Sequence, residues 1–105
     1  MKLKLDKPLK GLDGNYILDD NDTPVLMSKL VADRLVGGKS EEPIKMFDYA
    51  VTLFKEGSIE VDATDLEKIK TKLGDADLTT LALAQILKAI KAVEIKETVK
   101  EHNKK

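Results

Sequence analysis

Residues 9–24 read LKGLDGNYILDDNDTP. This stretch decides what kind of molecule the chain builds, because it holds a turn signal and then a run of acids. Asp13-Gly14 is a strong short-range hairpin signal, since the central residues of a tight type I′ turn need positive φ. A two-residue loop there pairs Leu12 with Asn15, Gly11 with Tyr16 and Leu9 with Leu18. One face of the hairpin then carries Leu9, Gly11, Tyr16 and Leu18, with the tyrosine lying over a strand glycine. The acids Asp19, Asp20 and Asp22 follow at once. They are a cation site, a catalytic cluster or a loop.

The spacing argues for the loop. A helix–loop–helix calcium site needs a glycine at its sixth position and a glutamate at its twelfth. Counted from Asp19 these are Pro24 and Leu30, and counted from Asp13 the sixth is Leu18. If Gly57 were the sixth, the first, third and twelfth positions would be Thr52, Phe54 and Ala63, none of them a ligand. Asp and Asn are ordinary turn residues because their side chains bond their own backbone. No metal site and no cofactor are expected.

Outward from this stretch the elements alternate. MKLKLD places Leu3 and Leu5 on one face of a strand, and Pro8 breaks it. Thr23 and Pro24 suit a helix start, which gives a helix over about 24–36 that stops at Gly37-Gly38. Its apolar face is Leu26, Met27, Leu30, Val31 and Leu35. GGKSEEP is the longest connection. Ser40 can cap a second helix that ends at Gly57. Ile44, Phe47, Val51 and Phe54 form one stripe of that helix, and Met46, Tyr49, Ala50 and Leu53 widen it, so it reads as the central helix. Ile59 and Val61 mark a short strand. Asp62 caps a third helix with the narrow stripe Leu66, Ile69 and Leu73, ending at Gly74. Asp77 caps a last helix from Leu78, apolar nearly all round to Val93. No internal repeat is evident. The expected fold class is α+β: a small antiparallel sheet, comprising the 9–18 hairpin with residues 2–6 and 58–61, packed on four helices. Residues 1–95 form one domain, and 96–105 form a charged, frayed or disordered tail.

Composition bounds the function. A chain of 105 residues buries on the order of 65% of its unfolded surface, enough for one core without staples. There is no cysteine, hence no disulfide framework or thiolate chemistry. No apolar run is long enough to span a membrane and no secretory leader is read at the start, so a soluble cytoplasmic protein is expected. With 18 basic and 19 acidic residues the net charge is −1. Nucleic-acid binders carry a basic excess or stripe. Binding of nucleic acid would require the lysines at 2, 4, 7, 10, 29, 39 and 45 to gather on one face. The only histidine, His102, stands among charges in the tail, where no proton-transfer group could be held. GGKS lacks the upstream glycine of a phosphate loop. No catalytic residue is expected and no enzyme.

What stands out is surplus apolar surface on the second and last helices. In the last helix, Leu83, Ile86, Leu87, Ile90 and Val93 make one side. Leu78, Leu81, Ala82, Gln85, Ala89 and Ala92 make a second, smaller-residue side suited to a protein partner or a second copy. The order of the Lys/Leu strand, LDG hairpin, TPVLMSKLVADRLV, PIKMFDYAVTLFKEGSIEVDATDLEKIK and LTTLALAQILKAI resembles small uncharacterised proteins encoded in bacteriophage and prophage genomes. The resemblance spans about residues 3–92. It implies a bacterial host and a non-enzymatic accessory role through protein–protein contact or self-association. The alternative is a nucleic-acid-associated regulator.

Overall fold

The computed structural model describes the backbone of residues 1–103 and the side chains of residues 1–95. The α+β class holds. Strand β1 (Lys2–Lys4) is followed by helix α1 (Met27–Val36), helix α2 (Pro43–Glu56), strand β2 (Ser58–Glu60), helix α3 (Ala63–Asp75) and helix α4 (Thr80–Asn103). The sheet is the antiparallel pair β1–β2, in register Lys2↔Glu60, Leu3↔Ile59 and Lys4↔Ser58. Alternation puts Leu3, Leu5, Ile59 and Val61 on the buried face, as the period-two pattern requires.

Residues 8–26 depart from the expected hairpin. The turn is not two residues long. Gly11 N–H donates to Asn15 O (2.9 Å) and Gly14 N–H to Gly11 O (3.0 Å), with Gly14 at φ 83°. This is the three-residue hairpin loop, a type I turn closed by a left-handed residue. Lys10 therefore pairs with Tyr16, one residue off the expected register. A one-residue slip inverts every side chain. Tyr16 and Leu18 consequently face out, Leu12 stands wholly exposed at the tip, and Ile17 joins Leu9 against the core.

Eight residues on, the turn is repeated in geometry. Asp19 N–H donates to Thr23 O (2.9 Å), Asp22 N–H donates to Asp19 O (3.0 Å), and Asp22 adopts φ 59°. Aspartate tolerates this left-handed conformation better than most residues. The two turns bring three extended segments together in a closed ring. Ile17 N–H donates to Leu9 O (2.9 Å), Val25 N–H to Ile17 O (2.9 Å), and Leu9 N–H back to Val25 O (2.8 Å). Residues 8–18 thus contribute isolated bridges rather than a strand of the sheet.

The ring changes where α1 begins. Thr23 and Pro24 belong to the third extended segment, Pro24 bridging Leu18. They do not cap the helix. Its first amides are satisfied from across the fold instead: Met27 N–H donates to Lys7 O (2.9 Å) and Ser28 N–H to Leu5 O (2.7 Å). α2 likewise starts at Pro43, with Ser40 tying the preceding loop by accepting from Glu42 N–H (3.1 Å) rather than capping. α3 is capped as its sequence demands, Asp62 accepting from Asp65 N–H (2.7 Å). It runs past Gly74 to Asp75. α4 opens at Thr80, where the Thr79 hydroxyl accepts from Ala82 N–H (3.2 Å). It continues as backbone helix through Asn103, into the segment expected as a tail; residues 104 and 105 lie outside the described residues.

The core is aliphatic, with Leu3, Leu5, Val31, Leu35, Leu53, Leu66, Ile69, Leu73, Ile86 and Ile90 essentially inaccessible. α2 packs against α1 and is not central. It buries Met46, Ala50 and Leu53 and leaves Ile44, Phe47 and Phe54 outside. Among the described residues no helix is long and apolar enough to cross a membrane.

Two glycines should respond oppositely to alanine. Gly57 ends α2 at φ 77°, and a Cβ there would lie 2.6 Å from Asp6 Cβ. Gly57→Ala is expected to destabilise the fold by about 2 kcal/mol or more in urea unfolding, combining the left-handed penalty with the clash. Gly74, within α3, has open space around it. Gly74→Ala should stabilise by about 0.5–1 kcal/mol.

Candidate functional site

Three places could carry chemistry or contact. The first is a polar cluster between α2 and α3. Asp65 is buried, its side chain only 8% exposed, although it carries a charge. The Tyr49 hydroxyl donates to its Oδ2 (2.6 Å) and Lys45 Nζ to its Oδ1 (3.3 Å), with Lys68 Nζ 3.9 Å away. Lys68 also donates to Glu42 Oε1 (2.9 Å). The Tyr49 bond, then the lysines, holds the Asp65 carboxyl below the usual range despite its burial. Burial, then Asp65, pushes the Tyr49 phenol well above its ordinary value. Glu42 is lowered chiefly by its bond from Lys68, and Lys45 is raised chiefly by its bond to Asp65. The net shift of each of these four groups favours the form already present at neutral pH. Such a cluster fastens α3 to α2, and the shifts of Glu42, Lys45, Tyr49 and Asp65 all lead away from neutral pH. In sequence, Tyr49 reads as an apolar stripe residue and Asp65 as a first-turn acid. The signal that joins them is a buried phenol needing an acceptor, but not which acceptor.

The second is an open recess of about 630 Å³ beneath residues 37–42, lined by Arg34, Lys39, Lys68 and Lys72 together with Glu41 and Glu67. Lys72 Nζ donates to Lys39 O (2.9 Å), pinning the loop over α3. Arg34 pairs with Asp33 (3.0 Å). Arg34 and Lys72 stand in the last turns of α1 and α3, where cations offset exposed carbonyls. The recess has mixed charge, and the Arg34 Nε is buried without a hydrogen-bond partner.

The third is an apolar groove of about 360 Å³ between α1 and α2, lined by Ala32, Asp33, Val36, Phe47, Ala50, Val51, Phe54 and Lys55. Ile44 is 77% exposed, Phe47 and Phe54 are 58% exposed, and Val36 is 51% exposed. Lys29 Nζ sits 5.2 Å from the centre of the Phe54 ring, which remains more than half exposed. The surplus apolar width of the second helix is therefore surface.

The last helix is different. Ala82 is buried in the core. The Gln85 amide acts as a further peptide group: its Oε1 accepts from Lys10 N–H (2.9 Å) and its Nε2 donates to Lys10 O (2.7 Å), clamping α4 to the ring of extended segments. Leu78, Leu81 and Ala89 are half-buried, and Ala92 is exposed. On the opposite side Ile86 and Ile90 are interior, and Leu87 is 37% exposed.

The acids of the opening stretch build their own turns. Asp13 Oδ1 accepts from Asn15 N–H (3.0 Å), and Asp19 Oδ1 accepts from both Asn21 N–H (2.8 Å) and Thr23 N–H (3.0 Å). The bond from the Asn15 amide lowers the Asp13 carboxyl. Among the described residues no three His, Cys, Asp or Glu side chains are grouped to hold a metal ion. The side chain of His102 lies outside the described residues. No family model, curated protein or solved structure matches the chain.

Asp65→Asn should cost about 1–3 kcal/mol at pH 7, the range for a buried bond to a charged group. The folded-state pKa is depressed, so the contribution of Asp65 is complete above the unfolded carboxyl value, about 3.9. It is lost as pH falls through the lower folded value. Melting curves of the wild type and Asp65→Asn should therefore lie apart at pH 7 and converge as pH falls through the depressed folded value of Asp65.

Proposed function

We propose that this chain acts by protein–protein contact, through the exposed apolar face of α1 and α2. It is a small non-enzymatic accessory protein of the bacteriophage or prophage type, working in the cytoplasm of a bacterial host. The observation that carries the reading is the outward stripe Ile44, Phe47 and Phe54 beside the groove. Scattered exposed apolar residues are ordinary, but contiguous ones rimmed by charge mark interaction sites. Phenylalanine is also among the residue types enriched at interfaces. The contrast with the rest of the molecule supports the same reading. Both Asp65 carboxylate oxygens are bonded within the molecule, and the side of α4 that includes Gln85 is engaged by Lys10.

Immobilised wild-type chain should retain either its own tagged copies or a discrete bacterial protein from a lysate. The double variant Phe47→Glu/Phe54→Lys should retain at most a tenth as much, the loss typical of removing a central aromatic contact. Its circular dichroism should match the wild type, because both rings are more than half exposed. Equal retention by the two proteins would contradict the proposal.

A further inference from the structure

We propose that Asp13 is a backbone-isomerisation site that the folded turn keeps shut, its side chain closing on the amide of Gly14 only when residues 11–15 open. Asp13 is the one aspartate or asparagine in the chain that is followed by glycine. Glycine has no Cβ, so no side chain shields its amide nitrogen. Both residues stand exposed at the hairpin tip, where water reaches them. In the reaction the Gly14 nitrogen attacks Cγ of the protonated Asp13 carboxyl. The N–Cγ bond forms, the C–OH bond breaks, and the hydroxyl leaves as water with the amide proton. The cyclic imide then takes up one water. Opening at one carbonyl restores aspartate. Opening at the other routes the backbone through the side chain and makes it one methylene longer. Water is the only co-reactant.

The folded turn withholds both reactants. Gly14 N–H donates to Gly11 O (3.0 Å), a bond that holds the proton the nitrogen must lose. Asp13 Oδ1 accepts from Asn15 N–H (3.0 Å), and Oδ2 accepts from Asn15 Nδ2 (3.1 Å). Hydrogen bonds to a carboxylate favour its charged form, which has no hydroxyl to lose. The turn is also anchored at its base. Lys10 and Tyr16 are bridged, and Gln85 of α4 holds Lys10 through both its N–H and its carbonyl. The second turn supplies the contrast. Asp19, Asp20 and Asp22 precede Asp20, Asn21 and Thr23, so a side chain stands beside each following amide. An isoaspartyl link at residue 13 would lengthen the loop whose register sets which of Tyr16, Ile17 and Leu18 faces inward.

The test is incubation of the full chain, folded and in guanidinium chloride, in water enriched in heavy oxygen. Each closure and reopening leaves one heavy atom on residue 13. Mass spectrometry reads it in the tryptic peptide 11–29, which also contains Asp19, Asp20 and Asp22 as internal references. The unfolded chain should acquire label at Asp13 ahead of the other three, and its isoaspartyl form should separate by chromatography. The folded wild type should label at least about tenfold more slowly, the factor set by one hydrogen bond that must break first. Asn15→Ala removes the bond to Oδ2 and should narrow the gap between folded and unfolded rates severalfold. Equal rates in folded and unfolded wild type overturn the shut turn. An unfolded chain without label at residue 13 overturns the site. An Asn15→Ala chain that keeps the wild-type gap overturns the carboxylate bonds as the latch.

Discussion

Three backbone hydrogen bonds organise this molecule. Leu9, Ile17 and Val25 each donate to one neighbouring segment and accept from the other, closing a ring that no single strand pair could close. Buried amides need partners, and a lone hairpin leaves one edge of each strand unpaired. Here the third segment covers both edges at once. The side chains at the three ring positions then converge on the core, Leu9 fully buried and Ile17 and Val25 packed beside it.

The rest of the fold hangs on this ring. It holds residues 5–7 beside residues 27–28, so that Leu5 O and Lys7 O can accept the first amides of α1. Leu5 N–H in turn donates to Gly57 O (2.8 Å), which brings the end of α2 and the start of β2 to the same place. Gly57 must be glycine for two reasons, its left-handed backbone and the closeness of Asp6. α4 is attached to the ring by the Gln85 amide and to α3 by Lys70, which bonds Glu67 and Glu94. With α1 fixed on the inner side of α2, and α3 fastened to α2 through Asp65, the remaining stripe of α2 has nowhere to turn but outward.

Much of the layout was legible in the residues. The β1 and β2 faces followed from alternation, the Asp62 cap from its place before an amphipathic run, and the end of α2 from Gly57. The stripe Leu66, Ile69 and Leu73 was narrow in sequence and is fully interior. What was hidden depends on distance along the chain. The Asp13-Gly14 signal is the same for a two- and a three-residue loop, and the choice reverses Tyr16, Ile17 and Leu18. Thr23-Pro24 has the local chemistry of a helix start, yet it serves as the third segment because Leu18 and Leu9 are waiting to pair there. The two turns share geometry without sharing letters, Gly14 and Asp22 both supplying the left-handed residue. Of the exposed apolar face, the stripe on α2 was visible as excess width, but only packing could tell that Phe47 and Phe54 stand outside while Ala82, Ile86 and Ile90 of α4 are interior. Asp65 and Tyr49 stand sixteen residues apart, and no periodicity links them.

The ring is tested most directly by native-state hydrogen exchange of three amides, those of Leu9, Ile17 and Val25. In a closed ring they exchange together, through an opening whose free energy approaches that of global unfolding and alongside the amides of β1 and Ser28. Exchange of Ile17 or Val25 at rates near those of the exposed turn residues Leu12 and Asn21, while Ser28 stays protected, would contradict it.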